Sequence, residues 1–283
     1  MSVERARVWQ PARAVGREEK ELHYSFALMD TQFLWSRRSV QYPEGGNHRL
    51  KMPNAKTVFL FDVDNTLLDN DRVTADLKRH LESEVGRERS QHYWEFFEGL
   101  RAELGYADYL GALQRYRIAY PHDPHLLAVS YFLMRYPFAN RLFPGSIDAI
   151  EYAQQAGPAV IVSDGDVVFQ PHKVYRSGLY EVFQGNVLIY VHKEQELDHV
   201  ERLYPAERYV MVDDKLRILT VIKETWKSRV TTVFVRQGHY AHDQQAIAKY
   251  PAADVSIEQI GDFIDLDLAS FLVTAGVSGS ASV

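Results

Sequence analysis

The sequence predicts an α/β protein, a doubly wound parallel sheet with a helical block inserted after its first strand. Three observations carry that prediction. From Thr57 onward, short apolar runs recur without an interrupting charge, which suits strands covered by helices on both faces. Segments of helical periodicity separate these runs. Each run gives way at its C-terminal end to polar residues, on the edge where open α/β sheets of Rossmann-like type bind ligands.

In chain order, Pro11, Pro43, Pro53 and Gly45-Gly46 punctuate residues 1–56. Phe26, Leu28, Met29, Phe33, Leu34 and Trp35 are nevertheless too apolar for a free tail. This N-terminal extension is expected to be partly ordered, packed on the body or on another subunit. The core is expected over 57–70 and 142–273, opening with the strand "TVFLF" before Asp62. Between Asn70 and Arg141 no strand is evident. "VTADLKRHLESEVG", "HYWEFFEGLRAELG", "ADYLGALQRYRIAY" and "HLLAVSYFLMRYPF" read as amphipathic helices, which predicts a small helical cap domain over 71–141. A helix opened by Pro144-Gly145 and closed by Gly157 returns the chain to the sheet. The remaining strands are "PAVIV" before Ser163, "NVLIY" before His192 and Lys193, "RYVMV" before Asp213, and "VTTVFV" before Arg236. Leu216, Leu219 and Trp226 recur at helical spacing after Asp214. The tail, 274–283, reads as disordered.

Composition narrows the function. The chain has 283 residues, 46% hydrophobic and 25% charged, as in ordinary globular proteins. Its formal net charge of -6 comes from interspersed acids and bases, which argues against nucleic acid or an anionic membrane as partner. A small anionic substrate remains compatible with a locally positive site. There is no cysteine, which excludes disulfides, thiolate metal sites and cysteine nucleophiles. No apolar run reaches membrane-spanning length and no secretory signal opens the chain, so a cytoplasmic location is expected.

Chemistry concentrates at the predicted strand ends. In a strand, residues two apart share a side, so Asp62 and Asp64 should project together with Val63 turned to the core. Ser163 is followed by Asp164-Gly165-Asp166, a hydroxyl beside a turn that can bind an anionic oxygen. Lys193 offers a fixed positive charge, and Asp213-Asp214 add a second carboxylate pair. So many acids on one edge need a cation, and hard oxygen ligands favour magnesium. Lys173 and Lys215 compete with Lys193, but Lys193 alone lies at a strand end between the flanking groups. Together these residues suit phosphoryl transfer through an aspartyl-phosphate.

"DVDNTLLD", "VIVSDGD", "HK" and "MVDD", in this order, resemble the four motifs of the haloacid dehalogenase-like superfamily. The helical insert resembles its C1-type cap, and the resemblance spans roughly Thr57 to Gly238. It implies that Asp62 is nucleophile and metal ligand. Asp64 would be the general acid/base, its carbonyl also reaching the metal. Thr66 would stabilise the turn, with Ser163 and Asp164 at the phosphate. Lys193 would steady the charge, and Asp213 and Asp214 would hold Mg2+, either one ligating directly. Asn65 stands where the family usually has Gly, and tolerates unusual backbone angles. The dehalogenases of the superfamily lack a carboxylate two residues after the nucleophile and use no magnesium, so a phosphatase of a small phosphorylated substrate is favoured. A phosphomutase, and a non-catalytic binding or assembly module on the same fold, are the alternatives. A homo-oligomer through the N-terminal extension or the cap is the expected protein partner.

Asn70, Asp71 and Arg72 sit where the cap would hinge, and are the expected cap-side substrate contacts. Tyr93, Trp94, Phe96, Phe97 and Tyr131 read mainly as cap core, and Arg115, Arg117, Arg135 and Arg141 as structural or solvated. "GHYAH", Gly238 to His242, reads as a surface loop rather than a metal site.

Overall fold

The computed structural model describes residues 55–269; the expectations for the N-terminal extension and the tail lie outside the described residues. β1 (Ala55–Phe61) begins two residues before the expected boundary. It is central in a six-stranded sheet that also contains β2 (Ala159–Asp164), β3 (Val187–Tyr190), β4 (Ala206–Asp213), β5 (Val230–Val235) and β6 (Val255–Ile257). The order is β3-β2-β1-β4-β5-β6 and every adjacent pair is parallel. The five apolar runs form β1 to β5. β6 escapes a periodicity reading because it has only 3 residues.

Register explains why the runs are continuous rather than alternating. Phe59 pairs with Ala159 on one side and Val210 on the other. Phe59, Phe61, Ile161, Val210 and Val212 face one apolar cluster, while Val58, Leu60, Val162, Tyr209 and Met211 face another. Both faces are therefore core. The first is closed by α4 (Ser146–Ala156), α5 (Phe169–Arg176) and α6 (Leu179–Val182), through residues such as Ile150, Phe169 and Leu179. The second is closed by α7 (Leu197–Leu203) and α8 (Leu216–Trp226), through Val200, Leu219 and Trp226. Each such side chain contributes about 1.5–3 kcal/mol by leaving water.

The helical insertion comprises α1 (Asn70–Leu104), α2 (Tyr109–Ala119) and α3 (Leu126–Arg135). α1 breaks at Gly86, where φ is 80 and ψ 166, so the first two predicted segments are two helices meeting at a glycine. Asp69 caps α1 by accepting from the Arg72 amide at 2.8 Å, and Asp108 caps α2 by accepting from the Gly111 amide at 2.7 Å. The chain leaves and re-enters the core on two paired linkers. Leu68 bridges Leu142 in antiparallel fashion, and the Asp69 amide donates to the Arg141 carbonyl at 2.7 Å. Leu77, Tyr93, Phe97 and Tyr109 join the apolar cluster of Phe59 and Phe61, so the insertion and the sheet share one continuous core. Among the described residues no helix is long and apolar enough to cross a membrane.

Gly157 closes α4 for a packing reason. A Cβ at this position would fall 2.2 Å from the Thr57 carbonyl oxygen of β1, a backbone atom that cannot swing aside. Gly157→Ala is therefore expected to lower stability by about 1–3 kcal/mol, the usual cost of overpacking, read as a lower denaturant midpoint.

Candidate active site

The loop after β1 carries the two acids of "DVDNT". Its first residue still follows the sheet, since the Asp62 amide donates to the Val212 carbonyl at 3.0 Å. Asp62 and Asp64 thus lie just beyond the strand rather than within it. Val63 is fully buried, as its alternation predicted. Asn65 turns the chain with φ of 61, the left-handed region that asparagine tolerates. Its side chain then fixes the start of α1: its Nδ2 donates to Asp71 Oδ1 at 3.0 Å, and its Oδ1 accepts from the Asp71 amide at 3.1 Å.

Three strand ends converge on Asp62. The Lys193 ammonium, at the end of the β3 segment, lies 2.6 Å from Asp62 Oδ1 and 2.6 Å from Asp213 Oδ2. Its amide donates to Asp164 Oδ1 at 2.7 Å, tying in the end of β2. Lys193 is 1% exposed and Asp213 and Asp214 are fully buried, so this is a buried charge cluster, not a surface network. Burial alone would lower the Lys193 ammonium, but Asp213, Asp62 and Asp164 outweigh it and hold it above its ordinary value. Burial would also raise Asp62, yet Lys193 and Lys215 hold this carboxyl below the usual range. Burial pushes Asp164 up to about 6 against the pull of Lys193.

Asp213 and Asp214 are not equivalent. Asp213 is engaged by Lys193, and its Oδ1 accepts from the Lys215 amide at 2.8 Å. Both oxygens of Asp214, and Oδ2 of Asp62, are buried without a hydrogen-bond partner among the described residues. Burial raises the Asp214 carboxyl well above its ordinary value, with Lys215 opposing and Asp213 adding to the shift. One oxygen from each of Asp62, Asp213 and Asp214 lies within 4.8 Å of the others. Orphaned hard oxygens in that arrangement fit a divalent cation such as Mg2+, with Asp214 the carboxylate freest to ligate.

Asp64 has a different partner. The Lys173 ammonium of α5 donates to its two oxygens at 2.7 and 2.8 Å. Ser163 is buried and its Oγ accepts from Gln170 Nε2 at 3.0 Å. Thr66 is fully buried behind the turn, its hydroxyl without a partner among the described residues.

A cleft of ≈ 860 Å³ opens between the insertion and the sheet edge, reaching the cluster at Asp64, Asp164 and Lys215. Asn70 and Asp71 line it, but Arg72 does not: its Nε lies 3.5 Å from Asp76, one turn along α1. Arg115, Arg135 and Arg141 are occupied by Glu103, Tyr131 and Asp76 respectively. Tyr93 is core, whereas Trp94 and Phe97 reach the cleft and Tyr131 is 58% exposed.

The "GHYAH" segment joins no metal-binding group among the described residues and its histidines are exposed, as expected, but it is not a loop. It forms a short helix, α9 (Gly238–His242), directly after β5 on the ligand-binding edge. The His239 amide donates to Asp71 Oδ2 at 2.8 Å and its Nδ1 lies 2.6 Å from Asp71 Oδ1. Tyr240 lines the cleft and meets Arg101 of α1, with the Lys215 ammonium 5.0 Å from its ring centroid. Gly238 is required here: φ is 68, and a Cβ would fall 2.5 Å from the Asn65 Cβ. The signal was present in the sequence, since this segment follows a strand end as Asp62, Ser163, Lys193 and Asp213 do.

The chain matches the model of the haloacid dehalogenase-like hydrolase family over residues 56–224. Among solved structures it is 57% identical to one described as a haloacid dehalogenase-like hydrolase from Burkholderia xenovorans LB400, covering 78% of this chain and 100% of that one at a TM-score of 0.74. It shares the fold of a haloacid dehalogenase-like family hydrolase from Xanthomonas campestris at 16% identity, over 78% and 93% of the chains, with a TM-score of 0.54. The L-2-haloacid dehalogenase of Xanthobacter autotrophicus shares it too, at 18% identity over 75% and 97%, with a TM-score of 0.51. Among curated proteins no sequence matches.

Two outcomes are expected from this geometry. Lys193→Met strands several buried carboxylates and should cost about 3–5 kcal/mol in chemical denaturation. Asp214→Asn removes one of three crowded carboxylates, so the metal-free protein should melt higher. Magnesium at one hundred times its Kd is expected to stabilise the parent protein by about 2.7 kcal/mol, read as a rise in Tm, and Asp214→Asn is expected to lose that rise.

Proposed function

The chain belongs to the haloacid dehalogenase-like hydrolase family, and we propose that within it the protein is a magnesium-dependent phosphatase of a small phosphorylated metabolite. One observation carries the choice of chemistry. A carboxylate in the acid/base position, Asp64, faces the cleft beside a buried acid cluster whose orphaned oxygens suit a divalent cation.

Asp62 is the nucleophile of this reading. Held below the usual carboxylate range by Lys193 and Lys215 against the effect of burial, it is ionised at neutral pH. One of its oxygens attacks phosphorus while the bond from phosphorus to the bridging oxygen breaks. Asp64 gives its proton to that oxygen, so the alcohol leaves neutral. In the second half, the Asp64 carboxylate takes a proton from a water whose oxygen attacks phosphorus. The Asp62–phosphorus bond breaks, inorganic phosphate leaves, and both acids return to their starting states. Lys193 neutralises charge beside Asp62 throughout, and Ser163 and Asp164 border the phosphoryl position. Mg2+, held by Asp62, Asp214 and Asp213, would supply charge neutralisation for the phosphoryl oxygens.

The insertion acts as a cap in this reading. Its paired linkers, Leu67–Asp69 against Arg141–Phe143, provide a hinge, and His239 and Tyr240 meet α1 across the cleft. Closure over the cleft would exclude water from the phosphoryl-transfer step.

The test is a panel of phosphorylated metabolites assayed with and without magnesium. Release of phosphate that requires Mg2+ and falls by at least ~10³-fold in Asp62→Asn is expected. Activity persisting in that variant, or without any divalent ion, would remove the mechanism. Transfer of phosphate to a second hydroxyl instead of water would identify a mutase.

A further inference from the structure

Lys173 has no part in the phosphatase reading so far, yet its ammonium is among the most buried cations of the molecule, with 1% of its side chain exposed. It is reached from α5, one turn past Phe169, and all three of its protons are committed. Two go to the oxygens of Asp64, at 2.7 and 2.8 Å, and the third to Asn70 Oδ1 at 3.0 Å. Asn70 in turn donates to the Tyr109 hydroxyl at 3.2 Å, and that hydroxyl lies 2.8 Å from Thr74 Oγ1. The rings of Tyr109 and Phe169 flank the ammonium, with centroids 6.0 and 5.8 Å away.

This network is separate from the one around Asp62. Lys193 serves Asp62 and Asp213, while Lys173 serves Asp64. As a source of stability a buried ion pair is weak, because an apolar side chain of equal volume usually does as well. What it supplies is direction. A carboxylate on a short side chain beside an open cleft has free rotation to lose, and a two-point contact from a clamped ammonium removes it.

We propose that Lys173 is a positioning residue for proton transfer: through its two-point contact it holds the Asp64 carboxyl at the leaving-group oxygen, and through Asn70 and Tyr109 it ties that carboxyl to the helical insertion. The inference rests on the phosphatase reading. It adds that the second lysine acts on the leaving group and not on the phosphoryl group. Lys173 does not line the cleft, and it acts only through Asp64.

Leaving groups separate this role from general stabilisation. Benzyl phosphate expels an alkoxide and needs the proton; p-nitrophenyl phosphate expels a stable anion and does not. In Lys173→Met, kcat/KM for benzyl phosphate is expected to fall by about 10²-fold or more, within the range of general acid catalysis. For p-nitrophenyl phosphate the fall in kcat/KM should stay below about threefold, since kcat/KM reports the steps up to leaving-group departure, which here needs no proton. Any loss at the later water step is read in kcat for both substrates alike. Asp64→Asn should show the same asymmetry, and the double variant should lose little more than Asp64→Asn alone, as coupled residues do. An equal loss of kcat/KM on both substrates, or full additivity with Asp64→Asn, overturns the positioning role while leaving the phosphatase reading intact. A parent protein that hydrolyses neither substrate overturns both. Should Lys173→Met fail to fold, Tyr109→Phe keeps the ring and removes the hydroxyl that anchors Asn70. A smaller loss of the same asymmetry is expected there, and a symmetric one overturns the proposal.

Discussion

One buried ammonium holds the site together. Lys193 lies 2.6 Å from carboxylate oxygens of both Asp62 and Asp213, and its own amide secures Asp164. Without it, the ends of β1, β2 and β4 would bring like charges into a volume from which water is excluded, at several kcal/mol per ion. The lysine comes from the strand segment at the sheet edge, and the acids from the centre. The cluster can exist only once β3, β2, β1 and β4 are in register.

That dependence runs in both directions. The apolar strands are pleated so that Phe59 and Phe61 face one cluster while Val58 and Leu60 face the other. Both faces are consumed in packing, which leaves the C-terminal edge as the place for polar side chains. The same apolar cluster continues into Tyr93, Phe97 and Tyr109 of the insertion, so the roof of the cleft is built on the core that sets its floor. Two lysines then divide the labour, Lys193 at Asp62 and Lys173 at Asp64, each inside its own shell of contacts.

Much of this was legible in the sequence. The five longer strands, the helical insertion and the edge that carries Asp62, Asp64, Ser163, Lys193, Asp213 and Asp214 follow from periodicity and from where apolar runs stop. Asn65 was legible as a turn residue because asparagine tolerates positive φ, and it adopts a φ of 61. β6 was not, since 3 residues cannot display a period. Nor was the fate of Arg72, because one residue's shift along a helix turns a side chain by about 100°, and the neighbours Asn70 and Asp71 face the cleft where Arg72 does not. The His239–Asp71 contact joins residues 168 positions apart, a pairing no local pattern encodes.

The layers, the strand ends and the kinds of group delivered there are written in the chain, because they depend on local spacing and on which residues water rejects. The pairing emerges in the folded molecule: which lysine meets which acid, which of Asp213 and Asp214 keeps its oxygens free, and that His239 and Tyr240 line the cleft. Those outcomes turn on distances of a few ångströms between segments remote in the chain, and Coulomb and hydrogen-bond energies change steeply over that range.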